Sequence, residues 1–455
     1  MKLAIFIALF GASMSGAQFY GVSLNKIVLV PLLAALLFNF LFENREFKIR
    51  IKGVEKKILG LYILAIFSCI YGMFSSYTDF FEYSNRIIAY AMQSIIFYIP
   101  IVLLLCSDKK RFRYYDYFMK SLIWVCRIQG VWALIQFVLY YSLKLNFNEM
   151  IFNDILKGII NFEGGIVRYS YENGTLALRI AGLNSDPAYL CILLVIGFVF
   201  EKNKIFKYLY VGIMMLTLSR VGIIVILCLI AWDTIKKIQL SKIKVKFKKI
   251  IIFFVSIVGV CFIAVYLYNT VPYVKHQIDY FSFRLGNIFE TGTGKTQSST
   301  RHILYLSYSF VAYFTELDLV QKFIGVGMRV TTAVFAGNIS MAENLQFTGG
   351  LLNTALATEC DIAEMLLGGG IIGFWLYYSF LYKAFRYGEG KVALGALAIF
   401  IYGFMYDVST ITFIQILFWF MCINIEESIM KKNEKVEEKT QSIGEQQAYD
   451  VYNNA

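Results

Sequence analysis

Charge is what this 455-residue chain has least of, with Asp, Glu, Lys and Arg making up only 16% of it. Soluble domains run nearer a quarter, so soluble enzymes, DNA-binding folds and secreted scaffolds are excluded together. Histidine is almost absent: His276 and His302 are the two, too far apart in sequence to signal a metal site. The eight cysteines form no Cys-x-x-Cys pair, which signals neither a zinc site nor a disulfide framework. Seven of them sit in apolar runs, and Cys360 lies just before one, so they read as small packing residues. No internal repeat is detectable.

What the chain has instead is apolar length. Hydrophobic residues make up 58% of it and aromatics 17%. They fall in runs close to the length a helix needs to cross a hydrocarbon core roughly 30 Å thick. About twelve spans can be marked, near 4–21, 25–43, 58–76, 87–106, 116–142, 187–201, 208–219, 221–234, 250–270, 362–382, 392–406 and 409–426. The expected fold class is therefore all-α, a polytopic integral membrane protein. The seventh and eighth spans share a tight turn at Ser219-Arg220 and read as a helical hairpin. The N-terminus imitates a signal peptide, with Lys2 before an apolar run and small residues, but reads as a retained first helix.

Lysine and arginine set the orientation. Lys2 and the segments 44–57, 107–113, 201–207, 235–249, 383–391 and 431–439 hold 28 of the 43 basic residues, all on one side of the alternating topology. That side is read as cytoplasmic, with both termini inside. Residues 1–430 form the transmembrane domain, with long outer segments near 143–186 and 271–361, and 431–455 are expected as a disordered cytoplasmic tail. The net charge of +12 is thus mostly a topological rim and points to no nucleic acid. Arginine is over-represented on the outer side, where Arg86, Arg168, Arg179, Arg220, Arg284, Arg301 and Arg329 lie against six lysines. Its planar fork suits bidentate binding of phosphate or carboxylate.

Some motifs fail on inspection. Thr293-Gly294-Lys295-Thr296 resembles a phosphate loop, but Phe289 stands where the pattern needs a glycine. Asn173-Gly174-Thr175 and Asn338-Ile339-Ser340 fit a glycosylation pattern only at the level of chance.

Four stretches remain. Arg179-Ile-Ala-Gly-Leu-Asn-Ser-Asp186-Pro leads into the sixth span, where Asp186 is either a ligand-binding acid or a helix cap before Pro187. Ser219-Arg220 puts a charge at the tip of an apolar hairpin, either facing a cavity or snorkelling to the interface. Arg301-His302 opens an amphipathic helix in the large loop, followed by Gly325-Val-Gly327-Met-Arg329. Glu359-Cys-Asp361 precedes a glycine-rich span, its acids serving a site or complementing the helix dipole.

These stretches, in this order and on this topology, resemble the O-antigen polymerases, whose superfamily also holds the O-antigen ligases. The motifs run from Arg179 to Gly373 and include Gly370-Ile371-Ile372-Gly373. Ligases carry a histidine near the end of the large loop, where this chain has Glu359. The resemblance implies a GT-C-like, metal-independent inverting glycosyltransferase without a cofactor. It would act at the periplasmic face of a bacterial inner (plasma) membrane on undecaprenyl-pyrophosphate-linked glycans, beside a separate chain-length regulator protein. Arg179, Arg220 and Arg301 would stabilise the leaving pyrophosphate. Glu359 or Asp361 would be the general base, with Glu359 favoured and His302 a lesser candidate. Asp186 and Arg329 would bind substrate, and Arg127 in the fifth span would order the site or pair with a carboxylate. The alternatives are an O-antigen ligase transferring glycan to lipid A core and a lipid-linked oligosaccharide flippase.

Overall fold

The computed structural model describes residues 1–20, 22–43, 53–72, 74, 88–162, 167–172, 175–217, 219–240, 266, 268–270, 275, 279, 298–329, 331–338, 340–341 and 360–453. The chain is mostly helical. Four helices among the described residues are long and apolar enough to cross a membrane: Leu24–Phe42, Ile88–Ser107, Arg111–Leu143 and Thr412–Glu434. Shorter apolar helices occupy Lys2–Ala12, Pro187–Phe200, Val221–Trp232 and Lys391–Gly403. Large apolar side chains stand exposed on several helices, among them Phe42, Phe67, Trp124, Leu227 and Trp375. In water this would be a costly surface, and it suits contact with lipid. The expected ninth span, 250–270, lies mostly outside the described residues.

The Thr412–Asn453 helix forms the centre of the packing in its first half, with Phe418, Trp419 and Phe420 buried. Tyr62 from the Glu55–Gly72 helix donates its hydroxyl to Gln415 and accepts from Trp419 Nε1 at 2.7 Å. The Arg111–Leu143 helix buries a stripe at helical spacing, Tyr114, Phe118, Leu122, Val125, Gln129, Ala133 and Gln136. Two glutamines on that stripe, two turns apart, have a task in the site described below.

The structure departs from the sequence expectation in four places. Two small sheets join the helices. Strands Ala17–Phe19, Val22–Ser23 and Ile160–Phe162 form one, in which the central strand pairs antiparallel with both others, and Val167–Glu172 pairs antiparallel with Thr175–Ile180 in the other. The first helix ends at Ala12, not near 21, because residues 17–19 are used in that pairing. The tail expected as disordered instead continues the last helix to Asn453. Its residues from 431 to 443 contain no Gly or Pro to stop a helix, and Lys431 pairs with Glu427 one turn earlier at 2.7 Å. Finally, the helix expected over 362–382 is broken. Asp361–Ala363 runs into a π-helical turn, Glu364–Gly368, and a new helix starts at Gly370–Tyr387.

That break is a seam between glycines. Val326 N–H donates to Leu367 O at 2.9 Å and Gly327 N–H to Gly368 O at 3.1 Å, so the 325–327 turn lies directly on the broken helix. A Cβ on Gly325 would stand 2.1 Å from Gly368 O, and one on Gly370 would stand 2.4 Å from the Phe323 carbonyl. Both glycines also have positive φ, +81 and +62, a region other residues seldom adopt.

Candidate functional site

One end of the bundle gathers most of the candidate residues. The Pro187–Phe200 helix starts there, and its entry is set by side chains of the Arg111–Leu143 helix. Gln136 Oε1 accepts from Gly182 N–H at 3.1 Å, and Gln129 Oε1 accepts from Leu183 N–H at 3.1 Å. Asn148 donates its Nδ2 to Gly182 O at 2.6 Å, and its Oδ1 accepts from Trp132 Nε1 at 2.7 Å. Burying a side-chain amide costs free energy unless its bonds are made, and here they are made to the loop that delivers Arg179 and Asp186. Asp186 caps the helix, its Oδ1 accepting from Ala188 N–H at 2.8 Å ahead of Pro187 in the first turn. Arg179, half-buried, donates Nε to Thr217 O at 3.2 Å, placing a cation at the C-terminus of the Lys204–Thr217 helix.

Beside this entry lies the turn joining Lys391–Gly403 to Thr412–Asn453. Tyr402 hydroxyl donates to Ala188 O at 2.9 Å, locking the turn against the start of the Pro187–Phe200 helix. Asp407, in the turn, accepts from Ser409 Oγ at 2.9 Å and Thr410 Oγ1 at 2.6 Å. Asp361 is buried and also accepts into this turn. Its Oδ1 takes the N–H groups of Val408 and Ser409, both at 2.8 Å, and its Oδ2 takes the Tyr377 hydroxyl at 2.7 Å. A Cβ on Gly403 would meet Asp361 Oδ2 at 2.4 Å, so the last turn of that helix needs glycine to admit the carboxylate.

Arg329 completes the cluster. It holds a left-handed backbone, φ 72, which is costly for a residue with a Cβ. The compensation is Glu364, which is buried. Its Oε1 accepts the Arg329 N–H and its Oε2 accepts the Thr331 hydroxyl at 2.7 Å. The guanidinium donates Nη2 to Thr410 O at 3.0 Å and lies 5.8 Å from the centre of the Tyr90 ring. It is within electrostatic reach of Asp407, Tyr98 and Tyr189. Arg329 is exposed as a residue, while its guanidinium is set among tyrosines and buried acids. His302, on the Ser298–Thr315 helix, is buried with its ring 5.4 Å from that of Tyr406.

No protein-family model matches this chain, and no curated protein matches it.

Of the residues singled out from sequence, Asp186, His302, Arg329 and Asp361 thus adjoin the 402–410 turn, while Arg179 is bonded to the end of the Lys204–Thr217 helix. Arg220 opens the Arg220–Leu240 helix and Arg301 lies on the same helix as His302, but the side chains of both are outside the described set. Glu359 is also outside it. Among the described residues no three of His, Cys, Asp or Glu converge to hold a metal ion.

Arg127 does not belong to the cluster. It pairs bidentately with Glu201, Nε to Oε2 at 2.8 Å and Nη2 to Oε1 at 2.9 Å, just past the far end of the Pro187–Phe200 helix. At 1.5 Å per residue, fourteen residues separate it from Asp186 by roughly 21 Å. Of its two expected roles, pairing with a carboxylate is the one it has.

Asp407 and Glu364 were not singled out from sequence as site residues. Asp407 carried a signal, being a carboxylate in a two-residue turn between two apolar spans, the same kind of signal as Arg220. Glu364 stood inside an expected span, where a charge needs a partner.

Proposed function

We propose that the chain is a polytopic inner-membrane glycosyltransferase that polymerises lipid-pyrophosphate-linked glycan repeat units at its outer face. The carrying observation is Arg329: an arginine held in a strained backbone by a buried carboxylate, its guanidinium beside Asp407 and tyrosines, at the helix ends that also carry Asp186 and Asp361. Strained residues persist where the surrounding structure over-determines them, and they concentrate at working sites. Among the described residues, the basic segments 107–113, 201–207 and 383–391 and Lys431 lie at the opposite helix ends, which supports the reading of about twelve spans with both termini inside.

In this reading the acceptor hydroxyl oxygen attacks C1 of the donor sugar with inversion as the C1–O bond to pyrophosphate breaks. The hydroxyl proton passes to Glu359. The leaving pyrophosphate departs on its lipid, its growing negative charge borne by Arg329 together with Arg220, Arg301 and Arg179. Asp361, with three donors already on its carboxylate, holds the 407–409 turn in place and acts through it.

Electrophoresis of surface glycan from a strain lacking the gene tests this. The expected pattern is a single repeat unit on lipid A core in place of a ladder. Bare core would overturn the polymerase in favour of a ligase, and repeat units stranded inside the cell would favour a flippase.

A further inference from the structure

At the helix ends opposite Asp186 a second site is built. A cavity of about 440 Å³ opens among the Arg111–Leu143, Lys391–Gly403 and Thr412–Asn453 helices and the segment just past Phe200. Lys120, Lys202 and Lys391 border it, with Asn424 in its wall. Lys391 is the fixed member. Its Nζ donates to Phe200 O at 2.7 Å and Glu201 O at 3.1 Å, the carbonyl end of the Pro187–Phe200 helix. Burial, and then the ammonium groups of Lys207 and Lys202, draw the Lys391 ammonium below its ordinary value.

The nearby acids offset these cations only in part. Glu201 is held in both arms of Arg127. Glu389, exposed at the border, has Lys431 Nζ at 3.7 Å. Asp116 is the other acid at the border, and it too is exposed. Three lysines and two exposed acids therefore line one cavity, an excess of positive charge, and one of the acids, Glu389, also has Lys431 beside it. Like charges in close array cost free energy unless a counter-charge lies among them.

We propose that this cavity binds a phosphate group, and that its source is the headgroup of an anionic phospholipid. The site lies at the ends of bilayer-length helices, where headgroup phosphates sit, and basic pockets between membrane helices are suited to anionic headgroups. Met119 and Ile123 extend the wall as apolar surface. The inference rests on the chain being membrane-embedded but not on the glycan reaction, and its test reads binding alone.

Full-length protein in detergent is mixed with dioleoylphosphatidylglycerol or dioleoylphosphatidylcholine, and bound lipid is measured by native mass spectrometry. Lys120 and Lys202 are exposed, so Lys120→Gln with Lys202→Gln leaves packing intact. Phosphatidylglycerol is expected to bind in preference, and its affinity to fall about five-fold for each lysine removed, equivalent to about 1 kcal/mol each. Lys202→Arg is expected to retain binding. Equal binding of the two lipids, or unchanged phosphatidylglycerol binding in the double variant, overturns the proposal. In a lipid-free arm, a lysine-dependent rise in Tm with inorganic phosphate, together with no preference between lipids, assigns the site to a soluble phosphate and overturns the lipid source.

Discussion

Arg329 and Glu364 meet through the backbone: the N–H of the arginine donates to the buried carboxylate, while its guanidinium reaches across to Thr410 O at 3.0 Å. The acid thus fixes where the cation stands without neutralising it directly. Replacing Glu364 by Ala leaves the Arg329 N–H and the Thr331 hydroxyl without their acceptor, a loss of about 1–3 kcal/mol for each group kept from water. A fall of several degrees in Tm is expected in detergent, with Glu364→Gln falling less. An unchanged midpoint for Glu364→Ala would show that the bond does not hold the turn.

Asp361→Asn separates positioning from proton transfer. Asn Oδ1 still accepts the Val408 and Ser409 N–H groups, and the Tyr377 hydroxyl turns from donor to acceptor. The variant is expected to fold and to keep a shortened glycan ladder. Complete loss of the ladder with normal expression would return Asp361 to the role of base.

The glycine seam predicts a sharp contrast among small substitutions. Gly325→Ala and Gly370→Ala put a methyl group against backbone carbonyls and hold Ala at positive φ, so both are expected to abolish stable expression. Gly212→Ala, in a helix with nothing within 4 Å of the new Cβ, is expected to be neutral or stabilising by up to about 1 kcal/mol. Fluorescence-detected size exclusion of the three variants reads the difference, and equal behaviour would remove the steric argument.

The Arg127–Glu201 pair predicts a pH dependence. Burial would raise the Glu201 carboxyl, but bonds from Arg127 and from the Asn203 and Lys202 N–H groups win and hold it at about 2. Because the folded value is depressed, the stabilisation is complete above the unfolded value of about 4.3. It is lost as pH falls through the window down to about 2. Arg127→Ala is expected to cost about 3 kcal/mol at neutral pH, the penalty of a buried carboxylate without its partner. It should also flatten the acid limb of the unfolding profile, and an unaltered limb would place the acid sensitivity elsewhere.

Helices were legible in this sequence because hydrocarbon length is a strong constraint: the ends of Pro187–Phe200 fall where Asp186-Pro187 and the basic 201–207 segment put them. Pairing was less legible. Asn173-Gly174-Thr175 reads in sequence as a glycosylation triplet, yet Asn-Gly is also a hairpin signal, and Glu172 pairs with Thr175. The helix break at Gly369 was hidden inside an apolar run, since its cause is the approach of a turn some forty residues earlier. In the site, conspicuous charges were found and their supports were not. Gln129 and Gln136 look like minor polar interruptions of a span until the loop they hold is seen. Asp407 is short of neighbours in sequence and rich in them in space.

The seam at Gly325, Gly368 and Gly370 means that the location of Arg329 is specified by atoms the chain omits. Side chains can be exchanged by repacking, but a missing Cβ has no substitute. As related sequences drift apart, the exposed residues of the same helix, Ile371, Ile372 and Trp375, are free to change identity, while these bare positions are not. The most durable trace of the site in distant relatives should therefore be a pattern of hydrogen atoms in place of methyl groups, persisting after the aromatic and charged residues around it have been traded for others.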